Sequence, residues 1–128
     1  METQPKELRI SNEAKDDVEE LRRRMDVEGY LFFKQILNRD NLIDLRRQIL
    51  TVLYEGEWLI AGTDPMDGIA DVNKRCTEGD RKYTEIYHKV QKLEVLHRSG
   101  HWPVTLEMIE KIMGRPAMPF PHQVVRLW

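Results

Sequence analysis

The sequence has only one cysteine and no long apolar run, and each of these features excludes a class of protein. The single cysteine, Cys76, excludes an internal disulfide framework and is typical of a reducing compartment. No stretch approaches the ~18 apolar residues of a membrane-spanning helix, and the first residues lack the apolar core of a signal peptide. We therefore predict a cytoplasmic protein without a membrane partner.

An excess of basic charge is also missing. The chain has 20 basic and 22 acidic side chains and a net charge of −2, so it has no general attraction for nucleic acid. Its 128 residues, of which 41% are hydrophobic, fit one domain of the commonest size, ~100–150 residues. We predict a flexible N-terminus over residues 1–12 and one domain over 13–128.

The spacing of apolar residues predicts four helices. Ser11 or Asn12 is suited to cap the first helix, and Asn38 the second. Gly29 and Gly114 are suited to end the first and the fourth. The predicted helices cover approximately residues 13–28, 39–55, 81–98 and 103–113.

Short apolar or aromatic runs at 30–33, 118–120 and 124–128 predict strands. Residues 58–79 have no period and contain four glycines or prolines, which predicts a long loop that acts as a lid. The fold class predicted from these elements is α+β, with four helices and a few short strands.

The histidines do not form a recognisable metal motif. Glu94 and His97 have the Glu-x-x-His spacing of a di-iron helix, but only once. His97 and His101 have the spacing of two zinc ligands on a helix, yet Gly100 and Pro103 predict that the helix ends between them. No phosphate-binding glycine loop or nucleophile elbow occurs. We predict no metal ligand and no catalytic residue in this chain.

A basic triplet, Arg22, Arg23 and Arg24, lies among acidic residues. Pairing of charges four residues apart on a solvated helix face explains it. Nucleic-acid binding is the alternative, although no aromatic residues alternate with these arginines.

Three polar residues lie on predicted apolar surfaces. Lys89 and Gln91 belong to the third predicted helix, where Lys89 either extends its ammonium group to solvent or points it at an anion. Gln123 lies in the last predicted strand and is either exposed at a rim or part of a pocket wall.

Several motifs in this order resemble the N-terminal region of the phytanoyl-CoA dioxygenase family. The resemblance covers about residues 16–128 and rests on order and spacing together. The motifs are Glu28-Gly29-Tyr30-Leu31, Asp40-Asn41-Leu42, Glu57-Trp58-Leu59, Lys89-Val90-Gln91-Lys92-Leu93 with His97, and Gly114-Arg115-Pro116 before 122–128.

The resemblance implies the N-terminal half of a double-stranded β-helix (jelly-roll) enzyme that uses Fe(II) and 2-oxoglutarate to hydroxylate a small molecule. In such enzymes two histidines and one carboxylate hold the iron. By resemblance, Lys89 reaches the oxo acid or substrate, Gln123 or Val124 lines that pocket, and Gln91 is a weaker candidate of the same kind.

The His-x-Asp pair that the family places after the strand at 122–128 does not occur in this sequence, which stops at Trp128. We therefore expect a fragment without the metal triad that binds neither iron nor 2-oxoglutarate tightly by itself. The alternative is a non-catalytic helical interaction module from a truncated or diverged family member. In either case we expect self-association through the exposed strand 124–128.

Overall fold

The computed structural model describes residues 7–126. Within this range the chain forms five α-helices and three short 3-10 turns, at 12–14, 65–67 and 72–74. No described helix is both long and apolar enough to cross a bilayer. The helices are α1 (Val18–Glu28), α2 (Arg39–Glu55), α3 (Arg81–Gln91), α4 (Glu94–Ser99) and α5 (Pro103–Met113).

The predicted α+β, jelly-roll-like fold class is wrong, because the described residues form no sheet. Backbone pairing is limited to two isolated bridges, Ile10 with Phe32 and Leu59 with Ala70. The run 30–33 finds only a single partner residue, and a strand is stable only beside others. Pro119 and Pro121 remove backbone donors around the second predicted strand. Residues 124–126 have no regular secondary structure, and Leu127 and Trp128 lie outside the described residues.

The described residues divide into two compact units, which we treat separately. The first contains 7–37 and 103–118, and therefore α1 and α5. The Asp17 side chain accepts the backbone N–H of Glu20 at the start of α1, and Gly29 ends the helix at a positive φ of 77°. α1 thus begins five residues later than predicted, after the 3-10 turn at 12–14. Leu21 is fully buried in this unit.

The second unit contains 38–102 and 119–126, and its core lies among α2, α3 and α4. Asn38 caps α2 as predicted, because its side chain accepts the backbone N–H of Asn41. The buried side chains of the core are Leu53, Leu59, Ile86, Val90 and Leu96.

The single helix predicted over 81–98 is wrong, because it breaks between α3 and α4. Leu93 has an extended backbone (φ −66°, ψ 120°). His97 Nε2 lies 2.7 Å from the Gln91 carbonyl oxygen, to which it donates. This bond satisfies a carbonyl that the end of α3 leaves without a helical partner, so a side chain stabilises the break.

The segment predicted as a lid, 58–79, has local structure in its first half. Ile60 N–H donates to the Ile69 carbonyl at 2.9 Å, and Asp71 N–H donates to the Trp58 carbonyl at 2.8 Å. Arg46 of α2 donates to the Met66 carbonyl at 2.9 Å. Backbone bonds and a helix contact therefore hold this hairpin-like turn in place.

Candidate functional site

One face of α3 presents a row of three polar or aromatic side chains. Tyr83, Tyr87 and Gln91 follow one another at intervals of four residues, which places them one above the other on a helix. The Tyr83 and Tyr87 rings stack with centroids 5.9 Å apart, and Trp58 lies against Tyr83 at 5.4 Å with a tilt of 33°. The row is therefore a continuous aromatic surface that ends in an amide.

The amide of Gln91 joins this row to the segment that follows Pro121. Gln91 Nε2 donates to Tyr87 Oη at 2.8 Å and to the Gln123 backbone carbonyl at 2.6 Å. Gln123 Nε2 in turn donates to the Phe120 carbonyl at 2.9 Å. Both N–H groups of Gln91 are thus used, and they fix residue 123 beside α3.

A cleft of about 240 Å³ lies next to this junction, and we call it the Tyr87 cleft. Its walls carry hydroxyl groups, an arginine and a glutamate, so hydrogen-bond donors face a small polar space. It is lined by Glu78, Gly79, Tyr83, Thr84, Tyr87, Val124, Val125 and Arg126.

Of the four residues singled out from the sequence, one lines this cleft and two are bonded to each other next to it. Gln91 and Gln123 are bonded to each other, and Val124 lines the cleft. Lys89 is exposed and lies two residues from both Tyr87 and Gln91, which is about 160–200° around the helix. The structure therefore places Lys89 on a different face of α3.

Sequence reasoning missed Tyr87, Thr84 and Arg126 as wall residues. The four-residue interval from Tyr83 through Tyr87 to Gln91 was the available signal for the aromatic row. No local pattern indicated Arg126, because its position in the cleft depends on a contact between residues that are 32 positions apart.

Glu94, His97 and His101, the residues with metal-like spacing in the sequence, are not assembled into a metal site. Within residues 7–126 no group of three or more His, Cys, Asp or Glu side chains could hold an ion. His97 uses Nε2 on a backbone carbonyl, and Glu94 pairs with Arg98 at 2.7 Å rather than with His97. The described residues do not fit an iron centre.

The three arginines of the basic triplet all have partners within the first unit. Arg22 donates to the carbonyl oxygens of Lys111 and Ile112, both at 3.0 Å. Arg23 and Arg24 both pair with Glu20, each at 2.7 Å. The triplet is thus used in helix capping and ion pairs.

Glu57, the residue just before the segment predicted as a lid, forms ion pairs with two lysines. Glu57 lies 3.2 Å from Lys74 Nζ and 3.5 Å from Lys82 Nζ. The hydrogen bond from Lys74, followed by the charges of Lys74 and Lys82, lowers the pKa of the Glu57 carboxyl. This carboxylate therefore pairs with one lysine inside the segment and with one just after it.

Comparisons with protein-family models, with curated proteins and with solved structures gave no match for this chain.

Proposed function

We propose that the chain is the helical, small-molecule-binding part of an Fe(II)- and 2-oxoglutarate-dependent dioxygenase of the phytanoyl-CoA dioxygenase type. The order of motifs in the sequence supports this proposal. The observation that carries it is the bond from Gln91 to the Gln123 carbonyl, because it joins two of the four expected pocket residues next to the cleft that a third, Val124, lines. We place the protein in the cytoplasm, where Cys76 remains a free thiol.

The residues of this chain would bind and orient a carboxylate. Tyr87 Oη accepts a hydrogen bond from Gln91, so its own O–H is available to donate into the cleft. The Thr84 hydroxyl already donates to the Asp80 carbonyl at 3.1 Å, so the second donor is the Arg126 guanidinium, which matches a carboxylate in charge and shape. An oxo acid is the ligand we assign to this cleft. Iron and the oxidation step are assigned to no residue of this chain.

The binding half of the proposal is tested by titrating the isotope-labelled chain with millimolar 2-oxoglutarate and following backbone amide shifts by NMR. We expect weak, saturable shifts centred on Thr84, Tyr87 and Arg126. Arg126→Gln should weaken binding about tenfold, as loss of a charged hydrogen bond does, whereas Lys92→Gln should not. Lys89→Gln tests the residue that the resemblance assigns to the oxo acid. Absence of any shift contradicts the proposal.

The enzymatic half is tested by reading the coding frame past Trp128. The proposal requires a His-x-Asp or His-x-Glu pair soon afterwards, and succinate production from 2-oxoglutarate by the protein that carries it. A frame without either pair contradicts an active oxygenase.

A second candidate function is a non-catalytic interaction module. It is favoured by two exposed apolar side chains in the second unit, Phe120 at 77% and Val124 at 64%. A contiguous patch of exposed apolar groups is typical of a contact surface. Light scattering should then detect a concentration-dependent dimer that Phe120→Ser with Val124→Ser abolishes. A monomer at all concentrations contradicts this alternative.

A further inference from the structure

A second cleft lies in the same unit, on the other side of Tyr83, and we call it the Trp58 cleft. Its volume is about 460 Å³, which is within the usual range of small-molecule sites, ~300–1,000 Å³. Trp58 and Tyr83 form one wall, and the opposite wall comes from residues 70–76. We propose that this cleft binds an arylalkyl carboxylate, a small molecule with an aromatic ring and a carboxylate. The proposal stands apart from the function proposed above.

The aromatic half of the ligand is inferred from the apolar surface of the cleft. The Trp58 and Tyr83 rings are tilted by 33° with centroids 5.4 Å apart, and a third ring could pack against their faces or edges. Val72 lines the same cleft with 81% of its surface exposed. A ring bound here would remove these apolar groups from water.

A polar group of the ligand is inferred from a donor without an acceptor. Trp58 Nε1–H is buried and has no hydrogen-bond partner among residues 7–126. A buried donor in this state costs about 1–3 kcal/mol, and such groups are rare in folded proteins. Trp58 belongs to the lining of this cleft, and a ligand oxygen that reached Nε1 would satisfy this donor.

The negative charge of the ligand is inferred from the charged residues of the lining. Two cations, Lys74 and Arg75, and one anion, Asp71, line the cleft. Lys74 is paired with Glu57, and Asp71 Oδ1 accepts the backbone N–H of Asn73. Arg75 takes part in none of the ion pairs found among residues 7–126. Its guanidinium is therefore the group that we assign to the carboxylate.

Cys76 lines this cleft and provides a direct measure of its occupancy. It is the single cysteine of the sequence, so alkylation reports on one position. The test follows alkylation of the whole chain by iodoacetamide with mass spectrometry, at increasing concentrations of hydrocinnamate. The neutral hydrocinnamamide and the ringless acetate separate the contributions of the charge and of the ring.

We expect hydrocinnamate to slow the alkylation of Cys76 in a saturable manner. Both comparison compounds should need at least about tenfold higher concentration for the same protection, because each lacks one charged or ring contact. Arg75→Gln and Trp58→Phe should each weaken protection about tenfold. Arg81→Gln is the matched control, because Arg81 pairs with Glu85 and does not line the cleft. Thermal melting establishes that each variant is folded.

Two results would overturn the proposal. The first is an alkylation rate that hydrocinnamate does not change in the original chain. The second is that the carboxylate is not recognised by a cation. This would be seen as equal protection by hydrocinnamate and hydrocinnamamide, or as equal protection by hydrocinnamate of the Arg75→Gln variant and the original chain. Neither result bears on 2-oxoglutarate binding at the Tyr87 cleft, which is measured at different residues.

Discussion

Arg24 Nε donates to Glu20 Oε1 across one turn of α1 at 2.7 Å, although only 4% of the arginine is exposed. A second carboxylate, Glu13, lies 2.7 Å from another nitrogen of the same guanidinium. The Ser11 hydroxyl accepts a further bond at 3.3 Å. A guanidinium withdrawn from water needs such partners, because removing one leaves its charge uncompensated. This cluster fastens the start of the described chain to α1.

The first prediction concerns the pH dependence of this cluster. Hydrogen bonds from Arg23 and then Arg24 lower the pKa of Glu20 from 4.5 to about 2. A pKa that is lower in the folded state gives stability above pH 4.5, which is lost as the pH falls towards 2. Glu20→Gln should therefore lower Tm at neutral pH, and its difference from the original chain should shrink over that interval. Glu19→Gln, an exposed neighbour, should show no such convergence.

The second prediction concerns the close approach of Gly56 and Ile86 in the core of the second unit. A Cβ atom at residue 56 would collide with the Ile86 side chain. Gly56→Ala should therefore lower the free energy of unfolding by about 1–3 kcal/mol, as overpacking does. Adding Ile86→Val, which removes the clashing methyl group, should restore part of the loss. Urea denaturation measures both, and equal stability of the single and double variants contradicts the packing explanation.

The third prediction concerns the link between α3 and residue 123. Gln91→Leu removes two hydrogen bonds but keeps the size of the side chain, so we expect a loss of about 1–3 kcal/mol. Hydrogen exchange at residues 123–126 should become faster than exchange in α2. Lys89→Leu, two residues away on an exposed position, is the control. Unchanged exchange at 123–126 in the Gln91 variant would show that this bond does not hold the segment.

The fourth prediction concerns Arg22 as a cap for α5. Its guanidinium donates to two carbonyl groups of the last helical turn, where cations are favourable. Arg22→Gln should cost about 1 kcal/mol and speed amide exchange near Gly114. Arg23→Gln, which has no contact with α5 carbonyls among the described bonds, should leave that exchange unchanged.

Two helix ends could be predicted from the sequence because their causes are local. Asn38 and Gly29 act within a few residues of themselves, and both predictions are confirmed. The break after α3 could not be predicted in this way. The break lies at Lys92 and Leu93, neither of which is a proline or a glycine. It is stabilised by His97, whose ring donates to the Gln91 carbonyl.

The prediction of strands was wrong for a different reason. An apolar run such as 30–33 has the composition of a strand, but a strand also needs a neighbour, and residues 7–126 supply Phe32 with one bridge. The candidate site could be predicted only in part from the sequence. Gln91 and Gln123 were recognised as polar residues on apolar surfaces, whereas their mutual contact and the position of Arg126 depend on long-range packing.

The aromatic surface on α3 has one more consequence, because Tyr83 lines both clefts. Any ligand that turns or immobilises this ring changes the shape of the neighbouring cavity at the same time. Thermodynamic linkage is reciprocal. If a ligand in the Trp58 cleft changes the affinity of the Tyr87 cleft by some factor, a ligand in the Tyr87 cleft changes the affinity of the Trp58 cleft by the same factor. One phenol ring is thus the contact through which the two proposed sites would influence each other.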